Sequence, residues 1–389
     1  MLIFGNFFTF MGFQMLIPIM PPHIQDIGAS GVEIGLVTTL FSLGAVFMRP
    51  FIGFLLEFRT RKPLVLIGIL SLFVITIFYP LTQIVFVFLL IRLFHGLAWG
   101  WATTSNGTAA VDNVPPKRLG EGMGYYGLSA TIGMVIAPSL GIFLYNHYNF
   151  RVTNTVSVIL CAIAIILLSI SKYRSPDNVK NVKREELKFS FFGSLIDKTS
   201  WYQALVTLMA TFGYGTVTTF IVIFATARGI HQIYLFYLFN AIVATFSRPL
   251  TGRLFDRKGP KTIILICAFL AFAALWVLSF ATSNIFIIIS GILFGAGYGS
   301  LLPTLQAWIL SQTKPERRGV ANGMYYSAID LGIGLSGLVF GVVSQFVGIS
   351  TIFKISSFFF ILVMILTIFY RKRHVGKSIK VQRSRRTGA

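Results

Sequence analysis

The sequence predicts an all-α membrane protein with twelve transmembrane helices in two parallel six-helix repeats. Three observations lead there. Apolar runs of about 20 residues recur along the 389-residue chain as far as residue 370, each long enough to cross the ~30 Å hydrocarbon core as a helix. Basic residues gather in polar stretches between those runs. One half of the chain also repeats in the other at a fixed offset.

Composition supports the first observation. Hydrophobic residues make up 55% of the chain and charged residues 12%, against the roughly 25% charged residues of soluble proteins; mean hydropathy is +0.78. A soluble enzyme or a nucleic-acid-binding domain is excluded on that ground. The net charge of +21 resembles a nucleic-acid signal until the charges are located. Of the 33 Lys and Arg, 27 lie in six stretches: Arg59–Lys62, Lys117–Arg118, Lys172–Lys198, Arg253–Lys261, Lys314–Arg318 and the tail after Tyr370. They alternate with stretches holding only Arg151, Arg228 and Lys354, and Arg49, Arg92 and Arg248 fall inside apolar runs. That alternation is the positive-inside pattern, so the basic faces are expected against an anionic cytoplasmic leaflet, with no nucleic-acid partner. The two cysteines, Cys161 and Cys267, sit in apolar runs and provide neither a disulfide framework nor a metal site. No cofactor is expected.

Breaks at charge clusters and Pro/Gly/Asn turns place the spans near 2–20, 34–56, 63–81, 84–108, 121–145, 152–171, 201–225, 232–254, 262–281, 284–310, 319–346 and 350–370. The first 20 residues read as a span rather than a signal peptide, because no Lys or Arg precedes Arg49. The abrupt start at Met1 suggests that a short lead-in is missing. An even number of spans with basic loops on one side puts both termini in the cytoplasm. The organisation expected is a six-helix half over 1–172, a central cytoplasmic linker over 173–199, a second half over 200–371 and a basic tail over 372–389.

A shift of 199 residues aligns Arg49-Pro50 with Arg248-Pro249, Gly53 with Gly252, Glu57 with Asp256 and Lys62 with Lys261. The same shift carries Gly96 and Gly100 onto Gly295 and Gly299, Gly120 and Gly124 onto Gly319 and Gly323, and Gly133 onto Gly332. Two parallel repeats around a shared cavity are the architecture of a secondary transporter. Glycines four apart, such as Gly96/Gly100 and Gly337/Gly341, let helix backbones approach closely in lipid.

The second span ends in Arg49-Pro-Phe-Ile-Gly53-Phe-Leu-Leu-Glu57-Phe-Arg59-Thr-Arg61-Lys62, and its copy in Arg248-Pro-Leu-Thr-Gly252-Arg-Leu-Phe-Asp256-Arg257-Lys258-Gly259. Either alone reads as a topogenic basic loop; the duplication singles the pattern out. It resembles the loop signature of the major facilitator superfamily, G-x-x-x-D-R-x-G-R-K, and the resemblance extends over essentially the whole chain. It implies a cytoplasmic latch between the halves built on Arg49, Gly53, Glu57, Arg61, Arg248, Gly252, Asp256 and Arg257. The first copy departs from the signature, with Glu57 for Asp and Thr60 where a turn Gly is expected. Asp112, at the end of the fourth span, is a further candidate partner for Arg59 or Arg61, or else a solvated helix-end charge.

Arg92, His95, Gly96 and Trp99 share one face of the fourth span. Arg92 lies roughly 12 Å deep, where an unpaired Arg costs at least ~2.5–3.5 kcal/mol. It needs an internal partner or a wet cavity, unless it snorkels to the interface. Its counterpart is Gly291, so it is specific to one half. The span is similar to the Arg-containing motif of proton-driven superfamily members, which implies a part in proton transfer. The fifth span, Gly133-Met-Val-Ile-Ala137-Pro138-Ser-Leu-Gly141, resembles the antiporter motif G-x-x-x-G-P-x-x-G with Ala137 for a Gly, and implies export. Asp330, roughly 16 Å into its span, is the acid placed deepest. Desolvation there favours its neutral form, which suits a proton carrier, although a structural Asp bonded to Ser or backbone groups would also fit. His95 is a second proton candidate. Asn6, Gln14, Trp99, Tyr214, Asn240 and Gln306 are candidates to line a substrate cavity or to bond between helices.

Other classes fit less well. Gly376-Lys377-Ser378 resembles the end of a phosphate loop, but Arg371 stands where its upstream Gly would be, and no metalloprotease motif is present. The expected function is proton-coupled export of small organic compounds by alternating access, in the plasma membrane and as a monomer. A proton-coupled importer, or an exporter dedicated to one metabolite such as a sugar or a metal chelator, is the alternative. The partners expected are the substrate, protons and the bilayer.

Overall fold

The computed structural model describes residues 1–114, 119–174, 189–313 and 318–370, apart from the side chains at 57, 58, 119–125, 128, 131, 135, 194, 249, 253, 256, 318 and 319. Among the described residues the regular elements are helices: α1 (Leu2–Gln14), α2 (Met20–Asp26), α3 (Gly31–Phe58), α4 (Arg61–Phe78), α5 (Val85–Asn113), α6 (Leu119–His147), α7 (Phe150–Ser169), α8 (Phe191–Leu195), α9 (Trp201–Ala227), α10 (Tyr234–Lys258), α11 (Pro260–Ser279), α12 (Asn284–Gln312), α13 (Arg318–Val343) and α14 (Ile349–Phe369). Among the described residues ten helical segments are long and apolar enough to cross a membrane, the first running through α1 and α2. Two further long helices, α6 and α10, stand where the sequence places its fifth and eighth spans.

Local chemistry explains most of the boundaries. Ser30 and Glu33 form a reciprocal capping box at the start of α3, with Ser30 N–H donating to Glu33 Oε2 at 2.8 Å, which satisfies donors that a helix start leaves open. Asn149 caps α7 through its Oδ1 and Val152 N–H. Pro18, Pro21 and Pro22 divide the first span, so a short 3-10 turn (Ile17–Ile19) separates α1 from α2 and the span runs to Asp26 rather than to residue 20. Gly259, with φ 74°, turns α10 into α11, whereas Thr60 at the matching place between α3 and α4 has φ −66°. The two copies of the loop therefore turn differently, and only the second requires a glycine.

Helix packing repeats along the chain. In the first half α1 packs on α6 and α7, α3 on α5, and α4 on α5 and α7; in the second half α9 packs on α13 and α14, α10 on α12, and α11 on α12 and α14. Several contacts match at the 199-residue offset, with α1 and α9 displaced by two residues more. Gly96 and Gly100 lie against the backbones of Phe41 and Ala45, and Gly295 against Asn240, while Gly299 meets Ala244. Ser157 Oγ donates to Gly12 O at 2.6 Å, and Ser356 Oγ donates to Gly213 O at 3.1 Å. Phe13 stacks on Trp99 at 3.8 Å between ring centroids, and Tyr214 on Tyr298 at 4.3 Å.

Between the two sets, α3 packs along α13, α6 along α10, and the α1–α2 region against α9. The α3–α13 seam rests on glycines. Gly31 and Gly35 face Gly337 and Gly341 so closely that an added Cβ on any of them would strike the facing helix. Thr39 Oγ1 donates to Gly334 O at 2.7 Å across the same seam. At the opposite end of these helices, Gly53, Gly107, Gly252 and Gly323 border open space. The seam is thus close-packed at the Gly31 end, with room left beside these glycines at the end that carries the basic loops. The segment expected only to link the halves contributes α8, which packs on both α3 and α13; the tail 372–389 lies outside the described residues.

Candidate functional site

Mid-way along the seam, α3 and α13 each carry a charge into the interior. Arg49 is 18 residues beyond Gly31, and Asp330 is 12 residues into α13, so at 1.5 Å per residue both lie far from either helix end. Arg49 Nη2 meets Asp330 Oδ2 at 2.6 Å, with both residues buried. The guanidinium carbon also lies 5.7 Å from the centre of the Tyr326 ring. Neither charge could be buried alone; together they neutralise one another, and the attraction is strong in a dry interior. The sequence pairs Arg49 with the loop at the end of its helix, whereas the structure places it about two turns before Glu57 and turns it across to Asp330. Its copy, Arg248, stays within its own half, donating from Nε to Gly299 O at 2.9 Å. The position matching Asp330 is Thr131, so this ion pair has no twin.

Arg92 and His95 form a separate cluster inside the first set of helices. Arg92 is 1% exposed, which removes the snorkelling alternative. Its Nε donates to Val37 O at 3.0 Å, Nη1 lies 3.4 Å from His95 Nδ1, and the guanidinium sits 4.4 Å over the Phe41 ring. Tyr79 OH lies 2.8 Å from the same Nδ1. An Arg can only donate, so Nδ1 accepts and the ring proton rests on Nε2. The structure does not bring Arg92 or His95 to Asp330; it holds them as a fixed positive charge and its acceptor behind α3.

At the basic-loop end, Arg61 turns inward, its Nε 2.6 Å from Asp112 Oδ2 and its guanidinium bonded to Leu56 O. Asp112 thus joins α4 to α5 within one half. The side chains of Glu57 and Asp256 lie outside the described residues. A Cβ added at Gly53 or Gly252 would meet nothing, and Arg257 is exposed, so the glycines of the two loop copies do not pack on one another in this conformation. In α6, Gly133 and Gly141 pack on the backbone of α1 with Ala137 and Pro138 buried between them, and the opposite face turns to α10, where Ser139 Oγ reaches Tyr234 O at 3.4 Å.

The remaining polar candidates divide. Asn6 bonds Ser129 Oγ at 3.1 Å and accepts from Tyr126 OH at 2.8 Å, tying α1 to α6. Gln306 Nε2 donates to Asn322 Oδ1 at 2.8 Å, tying α12 to α13, and its side chain also bonds Tyr326, which is 41% exposed beside Arg49. Gln14 and Asn240 are half-buried. Trp99 and Tyr214 are engaged in the ring stacks of their own halves rather than offered to a cavity. Tyr126 and Tyr326 escaped the sequence reading; each follows another Tyr, and nothing in that pattern marks which ring turns inward. Among the described residues no cluster of His, Cys, Asp and Glu could hold a metal.

A charged seam and repeated packing of this kind can be compared with known proteins. The chain is 25% identical to the multidrug resistance protein MdtG of Klebsiella pneumoniae, over 91% of this chain and 88% of that protein. It is 24% identical to the staphylopine export protein of Staphylococcus aureus, over 89% of each. Its fold matches a variant of the nucleoside transporter NupG with a TM-score of 0.78 at 13% identity, covering 94% of this chain and 98% of that one. The family model of the Major Facilitator Superfamily matches residues 2–281 and again 241–388. Matched by that family from one end to the other, this chain belongs to the Major Facilitator Superfamily: it is a multi-pass membrane transporter and not an enzyme.

Proposed function

We propose that this protein exports small organic compounds against proton entry by alternating access, with twelve spans forming two six-helix halves over 1–172 and 200–371. The observation that carries the reading is the Arg49–Asp330 pair, buried in the α3–α13 seam where the halves meet. Protonation of Asp330 cancels its charge and releases Arg49, so one proton changes the free energy of a contact between the halves. A ligand can shift a two-state equilibrium only through such a difference. The loops at Glu57 and Asp256 close the basic end in the alternate state, and that end, with both termini, faces the cytoplasm of a cell whose plasma membrane holds the protein as a monomer. The named relatives, a multidrug resistance protein and an export protein, support the outward direction.

Export of one dedicated metabolite is the second reading, and the ion pair favours it. Asp330 already has a cation in Arg49, so a permanently cationic drug would have to displace an internal partner. Everted vesicles screened for proton release against a panel of cationic, zwitterionic and anionic compounds separate the two readings. Proton release is expected with an active compound and is expected to vanish in Asp330→Asn. Proton-driven efflux by that variant at the wild-type rate would remove Asp330 from the mechanism.

A further inference from the structure

Where the start of α4 meets the chain leaving α7, the protein carries a cleft of about 690 Å³ lined by Thr60, Lys62, Ile170, Ser171, Lys172 and Tyr173. It lies at the basic end of two helices that pack side by side. Its two ammonium groups are unspent. Arg61 is drawn inward to Asp112, which leaves its neighbour Lys62 exposed, and Lys62 and Lys172 have no partner among the described residues. Thr60 stands at the N-cap of α4 without a capping bond from its side chain. The other hydroxyls are committed, Ser169 to Ile165 O and Ser171 to Leu167 O, both at 2.7 Å, and Tyr173 to Leu168 O at 2.8 Å. Among the described residues no carboxylate lines the cleft. The wall is held in place, since Arg174 N–H donates to Asn113 Oδ1 at 3.3 Å and so ties the chain after α7 to the end of α5.

Below the two ammonium groups the surface turns apolar. Ile170, Ile166 and Ile159 are all more than half exposed, and their spacing puts them on one face of α7. Two cations and a hydroxyl above an apolar stripe, at the end of membrane-crossing helices, are complementary to a single molecule that joins a phosphate to acyl chains. We propose that this cleft binds the headgroup of an anionic phospholipid, with the phosphate on Lys62, Lys172 and Thr60 and an acyl chain along Ile170 and Ile166. Basic pockets between membrane helices bind anionic headgroups in this way. The second copy departs from this arrangement: Gly259 replaces Thr60, and Lys261, which matches Lys62, is spent on Ile368 O at 2.9 Å.

The test is native mass spectrometry of the full-length protein taken from mixed micelles of phosphatidylglycerol and phosphatidylcholine. Wild type is expected to retain phosphatidylglycerol in preference. The double variant K62Q/K172Q is expected to lose that preference roughly ten-fold or more, while K62R/K172R keeps it. K354Q, altered at the far end of the molecule, serves as the control and is expected to match wild type. Equal retention by wild type and K62Q/K172Q, both with unchanged thermal unfolding, overturns the proposal. So does displacement of the lipid by millimolar inorganic phosphate, which would assign the site to free phosphate. Should the Gln double variant fail to fold, K62Q and K172Q singly are each expected to lower the preference, and wild-type retention by both overturns the proposal as well. None of these outcomes depends on transport.

Discussion

Arg49 and Arg248 occupy equivalent positions yet find different partners, one a carboxylate on the other half and one a carbonyl in its own helix pair. The difference follows from one residue, Asp330. Removing its carboxylate leaves Arg49 buried without a counter-charge, which costs about 3–5 kcal/mol, whereas removing both charges costs far less. Thermal unfolding in detergent is therefore expected to show Asp330→Ala less stable than the double variant Arg49→Leu/Asp330→Leu; equal losses would mean that the pair contributes nothing. Arg92 gives a second expectation. Lys in its place keeps the charge but loses the Nε donor to Val37 O and the planar face over Phe41. Arg92→Lys is expected to insert normally and to transport at least about ten-fold more slowly, as read by vesicle uptake. The deep placement of Asp330 was legible from its position in an apolar run. Its partner was not, because Arg49 sits in a basic motif that points to its own loop, and only the packing of α3 on α13 brings the two together.

At the level of helices, apolar length and charge alternation located the spans because lipid requires every backbone group to be bonded within the segment. Two features escaped them. The prolines at 18, 21 and 22 divide the first span, and α8 hides in a stretch that reads as a charged linker. Its signal was the aromatic group Phe189, Phe191 and Phe192. Phe189 stacks on Phe51 at 5.1 Å and Phe191 lies 6.2 Å from Phe47, which fastens the linker to α3 at the seam. The seam itself depends on small residues. A Leu at Gly337 would strike Thr38 and Gly35, so Gly337→Leu is expected to disfavour closure at the Gly31 end. Thiol labelling of a Cys placed at Ser344 is expected to rise several-fold in that variant, and unchanged labelling would mean that the seam tolerates separation without opening.

Over the whole molecule, a constant offset was readable in the sequence, and some helix contacts correspond at it, such as Gly96 on Phe41 and Gly295 on Asn240. Which end is open could not be read from the sequence, since the same residues serve both states. Helices α3 and α13 meet closely from Gly31 to Arg49, whereas an added Cβ at Gly53 or Gly252 meets nothing. A charge pair that spans them at mid-depth stabilises this arrangement, and neutralising it should favour the alternate one. Spin labels at Gly53 and Gly252, where added side chains meet open space, report that balance through the distance between them in lipid nanodiscs. Asp330→Asn is expected to move the population toward the shorter distance and to make the distribution independent of pH, whereas wild type shifts the same way only on acidification. A distribution in Asp330→Asn that matches wild type at every pH would contradict the coupling of proton binding to movement of the halves.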